Sequence, residues 1–91
     1  MSIKVKLNPI LTKSTAGQEV VEVTGRTTGE CLENLESLFP SIKSEIRDKQ
    51  GQLVPFYFLA VNSKLVYSSK ELTTAVEDGD DIEIYPLAMG G

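Results

Sequence analysis

The stretch "TTGECLENLESLF", residues 27–39, decides how this chain folds. Thr27 and Glu30 stand three residues apart, the spacing at which each side chain satisfies a backbone N–H at a helix start. Cys31, Leu32, Leu35, Leu38 and Phe39 then recur at helical period, while Glu33 and Glu36 fall on the other side. A core-facing helix is expected here, and Pro40 ends it. "SIKSEIRD" after it has room for one or two more turns, with Ile42 and Ile46 on one side.

Strands flank this helix on both sides. Before it, Ile3, Val5 and Leu7 alternate with Lys4, Lys6 and Asn8, the period of a half-buried strand. Asn8-Pro9 breaks that strand, a loop is expected through Gln18, and β-branched "EVVEV" (Glu19 to Val23) makes a second one. After the helix, a turn at Gln50-Gly51 leads into "VPFYFLAV", and Asn62-Ser63-Lys64 reads as a hairpin turn into "LVY". Leu72 and Val76 lie in a short irregular segment. Asp78-Gly79-Asp80 is a turn, and "DIEIY" is the last strand, with Ile82 and Ile84 inward and Glu83 and Tyr85 outward.

One helix cannot cover both faces of a sheet. One face is therefore expected to pack on Leu32, Leu35 and Leu38, leaving the other to solvent or a partner. A ferredoxin-like fold would need a second full helix before the last strand, and Ser68 to Glu77 is too short and polar for it. The order matches the α+β ubiquitin-like roll, or β-grasp: a mixed sheet of about four to five strands on one main helix. A domain over residues 1–85 and a flexible tail over residues 86–91 follow from this reading.

Composition narrows the function. The chain has 91 residues, enough for one modest core, and is 41% hydrophobic and 24% charged. No apolar run approaches the ~20 residues of a membrane span, and the N-terminus reads as a strand, not a signal peptide. A single cysteine permits no internal disulfide, which fits a cytoplasmic protein. The net charge is −4, and every charged residue after Lys70 is acidic: Glu71, Glu77, Asp78, Asp80, Asp81 and Glu83. No basic stripe for nucleic acid is visible. That acidic C-terminal segment is either a solvated surface or a field that steers a basic partner.

Chemistry inside the domain finds few residues to carry it. Histidine is absent, which removes histidine triads and histidine metal sites. Cys31 lies on the apolar stripe and reads as a buried structural thiol. Glu77 to Asp81 lacks the ligand spacing of a calcium loop and reads as a turn.

The unusual group is the end, "PLAMGG". Leu87, Ala88 and Met89 have no place in a core, and Gly90-Gly91 carry no Cβ. Six residues from Pro86 reach roughly 20 Å when extended. Such a tail can thread a narrow channel and present a bare carboxylate to another protein's active site. Beside it, Phe58 and Ala60 would share the outward face with Tyr85 and form a partner surface. "FYFLAV" also permits the opposite facing, with Phe58 in the core.

"DGDDIEIYPLAMGG" resembles the closing segment of the ThiS/MoaD sulfur carriers, "TTGECLENL" their helix start, and "FLAVNSKLV" their central hairpin with its Val-Asn. The resemblance covers nearly the whole chain. It implies a non-catalytic carrier whose terminal glycine, Gly91, is adenylated by a ubiquitin-activating-like enzyme using ATP and magnesium. A sulfur donor then converts it to a thiocarboxylate, and Gly90, Met89, Ala88 and Leu87 occupy the partner's channel. The carrier itself binds no cofactor or metal, and neither nucleic acid nor membrane is a partner. "NPILTKSTAGQEV" looks more like the carriers that feed cysteine synthesis than like the short thiamine carriers. The acceptor is then a cysteine synthase-like enzyme, with the molybdopterin synthase large subunit as the alternative. Two other classes share the fold: ubiquitin-like modifiers joined to lysines through Gly-Gly, and interaction modules with no tail chemistry.

Overall fold

A computed structural model describes residues 2–54, 57–66 and 72–86. β1 (Ser2–Leu7) pairs antiparallel with β2 (Val20–Thr24) and parallel with β5 (Asp81–Pro86). β3 (Tyr57–Val61) pairs antiparallel with β5 and with the two-residue β4 (Lys64–Leu65). The sheet order is β2-β1-β5-β3-β4, a mixed five-stranded sheet. The last strand thus lies in the middle, and Ile82 and Ile84 are buried as their alternation anticipates.

Among the described residues, three α-helices accompany the sheet: α1 (Pro9–Thr12), α2 (Thr28–Leu38) and α3 (Pro40–Ile46). The inward residues of the strands meet Leu32 and Leu35 of α2 and Ile42 and Ile46 of α3 in one core. The helix start works much as its spacing predicts. Thr27 Oγ1 accepts from the Glu30 N–H at 3.1 Å, and Glu30 Oε1 accepts from the Arg26 N–H at 2.8 Å.

Four expectations are corrected. The segment after Asn8 is not a plain loop: Asn8 Oδ1 accepts from the Ile10 N–H, Pro9 opens α1, and a 3-10 turn spans Lys13–Thr15. This short element buries Leu11 and Thr15. Leu38, expected in the core, is 58% exposed and lies beside the edge residues Glu22, Val23 and Thr24 of β2. Glu36, expected to point away, is buried against Arg47 in an ion pair of 2.7 Å. Finally, Ala60 is only 1% exposed, which bears on the site below.

Candidate functional site

The outer face of the sheet and the end of β5 make up the candidate site. Register fixes the face: Phe58 stands opposite Tyr85, Leu59 opposite Ile84, and Ala60 opposite Glu83. Leu59 and Ile84 are buried in the core. Their neighbours Phe58 and Tyr85 must therefore point to the other side, which settles the facing that the sequence left open. Their rings meet edge to face, 4.5 Å between centroids and 80° between planes. Both are half-buried, so the pair presents aromatic surface and is also held by its own contact.

Ala60 shares that face but offers a partner no surface. It stands between cross-strand neighbours Glu83 and Leu65 and is buried. Leu65, opposite Ala60 and 56% exposed, takes the place in the patch expected of Ala60. The pleat of "FLAVNSKL" across the hairpin was the available signal for it. Toward β1 the face turns polar, where Lys6 Nζ lies 3.2 Å from Asp81 Oδ2. The patch is thus an apolar strip of Tyr85, Phe58 and Leu65, with acidic Glu83 and a Lys6–Asp81 pair along one side.

β5 ends at Pro86, opposite Tyr57, where a missing N–H costs the ladder little. Its parallel pairing sets Ile84 beside Leu7, and the Asn8 N–H reaches the Ile84 carbonyl at 3.3 Å. The end of β5 therefore lies next to the start of α1. A groove of about 310 Å³ lined by Lys6, Asn8, Glu83 and Tyr85 opens at the same end. The expected site residues Leu87, Ala88, Met89, Gly90 and Gly91 lie outside the described residues.

Elsewhere, potential chemistry is committed to structure. Cys31 is fully buried, and burial, with the Glu30 carboxylate beside it, pushes its thiol up and away from the reactive thiolate. The acidic turn spends its oxygens on donors. Asp80 Oδ1 accepts from the Asn62 side-chain amide at 2.9 Å, Asp80 Oδ2 accepts from the Glu77 N–H at 2.8 Å, and Asp78 Oδ1 accepts from the Ser2 N–H. Among the described residues, no group of three metal-ligating side chains converges. No described helix is long and apolar enough to cross a membrane.

Comparison with known proteins bears on the whole chain. The model of the ThiS family matches residues 5–91. The sulfur carrier protein CysO of Mycobacterium tuberculosis is 34% identical over 93 residues, covering all of both chains. The crystal structure of SAMP1 from Haloferax volcanii superposes with a TM-score of 0.86 at 26% identity, over all of both chains. The crystal structure of the BexX/CysO complex of Amycolatopsis orientalis contains a chain with a TM-score of 0.86 and 32% identity. That match covers 98% of this chain and 99% of the other.

Proposed function

The chain belongs to the ThiS family, and we propose that it carries sulfur as a thiocarboxylate on Gly91. One observation carries the proposal: the family match runs through Gly90-Gly91, and a full-length relative bears the name sulfur carrier protein. The geometry supports a role as co-substrate. The domain's one thiol is buried, it has no histidine, and an apolar strip flanks the strand from which the tail leaves.

The chemistry begins at a poor electrophile. An adenylating enzyme joins a Gly91 carboxylate oxygen to the α-phosphorus of ATP, and pyrophosphate leaves. Hydrosulfide then attacks the carbonyl carbon. AMP departs with the former carboxylate oxygen, the sulfur's proton goes to solvent, and a thiocarboxylate remains. Gly90, Met89, Ala88 and Leu87 thread the enzyme's channel, where the missing Cβ of Gly90 admits the chain. The sulfur acceptor is a cysteine synthase-like enzyme, a choice supported by the long stretch from Asn8 to Val20 and the likeness to CysO. The CysO crystallised with BexX supports a carrier that works through a protein partner.

A second reading has its own support. SAMP1 is a small archaeal modifier protein, and its structure matches over the full length. In that reading the activated carbonyl passes to a lysine amine. The test is intact-mass analysis after incubation with an adenylating enzyme, ATP and sulfide. A carrier gains the mass difference between sulfur and oxygen, and loses that capacity when Gly91 is deleted. If no such product forms and cells instead show Gly-Gly remnants on lysines, the chain is a modifier.

A further inference from the structure

β2 is an edge of the sheet, and its unpaired side is furnished for another strand. The bond from the Leu7 N–H to the Glu19 carbonyl, 2.8 Å, sets the phase of the β1–β2 ladder. Val21 and Val23 accordingly turn their backbone groups to β1, while Val20, Glu22 and Thr24 turn theirs outward. The Thr24 carbonyl is taken by the Asn34 side-chain amide at 2.6 Å. The outward N–H and C=O groups of Val20 and Glu22 have no partner among the described residues. Open edges are usually shortened, bulged or covered, and among the described residues only the Thr24 end of this one is capped.

Beside that edge a groove of about 480 Å³ separates β2 from α2. Glu22, Val23 and Thr24 form one wall, and Asn34, Ser37 and Leu38 form the other. Leu38 is the exposed leucine of α2, and it stands in this groove instead of in the core. Glu22 is the one charged group on the described lining, with Lys4 across from it on β1.

The geometry points to a β-augmentation site, in which β2 and the groove bind an extended segment of a partner protein that alternates aliphatic residues with Lys or Arg. Main-chain bonds to Val20 and Glu22 supply the docking, and the pleat supplies the selectivity. Partner residues opposite Val21 and Val23 turn to the helix side, over Leu38. Residues opposite Val20 and Glu22 turn to the outer face, where the Glu22 carboxylate favours a cation. A second copy of the chain fits less well, since it would bring Glu19, Glu22 and a net charge of −4 to the same edge. This site lies at the sheet edge away from β5 and does not depend on the tail's chemistry.

The test titrates the isotope-labelled protein with an acetylated, amidated hexapeptide, Lys-Val-Lys-Val-Lys-Val, and in parallel with its Glu-Val counterpart. The expected shifts concentrate at Val20, Glu22, Ser37 and Leu38, with amide exchange slowed at Val20 and Glu22. Leu38→Asp, at an exposed position whose fold is checked by unchanged core shifts, weakens the Lys peptide about tenfold. Glu22→Lys weakens it about twofold to fivefold and reverses the preference between the two peptides. The proposal is overturned if shifts map to the Asp78–Glu83 turn or the Phe58–Tyr85 face, or if neither peptide binds at millimolar concentration. It is equally overturned if Val20 and Glu22 are protected without peptide in a concentration-dependent way, which would make the edge a self-association site.

Discussion

At Glu36 and Arg47 two opposite charges share a nearly dry site, 2.7 Å apart from Nε to Oε2 and 3.3 Å from Nη2 to Oε1. Arg47 Nη1 also donates to the Gly51 carbonyl at 2.9 Å, so one guanidinium ties α2 to the turn beyond α3. Removing one partner leaves the other charged and without its counterion. Arg47→Met is therefore expected to cost about 3 kcal/mol or more in urea unfolding, while pairing it with Glu36→Leu recovers most of that loss. A double variant no better than the single one would show that the pair itself, not the stranded charge, sets the stability. Asp80 is a different case, half-buried and acting through hydrogen bonds. The Asn62 amide first, and the Glu77 N–H second, hold its carboxyl below its ordinary value. A depressed folded pKa gives stability that is complete above the unfolded value, about 3.9 for aspartate. It is lost as pH falls through the lower folded pKa. Asn62→Ala should raise the Asp80 pKa toward the ordinary value in a carboxyl-carbon titration, and flatten this part of the acid limb. An unchanged Asp80 titration would assign the shift to the turn backbone alone.

The start of α2 is tied by backbone hydrogen bonds to the segment before β5. Thr28 and Gly29 donate their N–H groups to the Thr74 and Leu72 carbonyls at 2.9 and 3.0 Å, so the segment before β5 caps orphan donors of the helix. A Cβ on Gly29 would lie 2.5 Å from the Leu72 carbonyl oxygen. Gly29→Ala is expected to cost about 1–3 kcal/mol, read by thermal unfolding, with faster amide exchange at Thr28 and Gly29. Exchange that is unchanged there would mean the segment shifts to make room. None of this was legible in "TTGEC", where the capping spacing and apolar period showed the helix but not what covers its end. Long periodic elements were legible: β1, β2 and β5 follow their patterns, and α2 follows its own except at Glu36 and Leu38. α1 was missed because a four-residue helix has no period to read, although Asn8 followed by Pro9 is a cap signal. Glu36 was misread because its counterion comes from a different element, eleven residues on. Leu38 and Ala60 failed for a shared reason. Period assigns a face, but exposure depends on how far the neighbouring strands and side chains extend. The candidate site was half legible: the outward set of β5 is written in "DIEIY", whereas "FYFLAV" needed the Phe58–Tyr85 register to orient it.

For the whole molecule, the sheet divides the labour. One face is sealed by α2 and α3, and the other carries Tyr85, Phe58 and Leu65 beside the strand that leads into the tail. This division makes stability and partner use separable by mutation. Ile84→Ala, in the core, should cost about 2–5 kcal/mol and remove function only by unfolding. Phe58→Ala removes a ring that lies outside the core and loses the edge-to-face contact with Tyr85. Its stability cost should be about 0.5–1.5 kcal/mol for that contact plus the burial of a half-exposed ring, below the cost of a core truncation. If the strip docks the adenylating enzyme, the same substitution weakens encounter and not chemistry, since the proposed reaction is at Gly91 and not at the ring. Thiocarboxylation at limiting carrier should then slow several-fold, with KM raised and kcat retained. Tyr85→Ala should behave alike, and the double variant should lose less than the sum, because the two rings share one contact. Two results would sink the docking role: kcat falling with KM unchanged, or Phe58→Ala unfolding the domain as Ile84→Ala does. A retained KM in both single variants would move recognition to the tail itself, leaving the aromatic pair as a brace between β3 and β5.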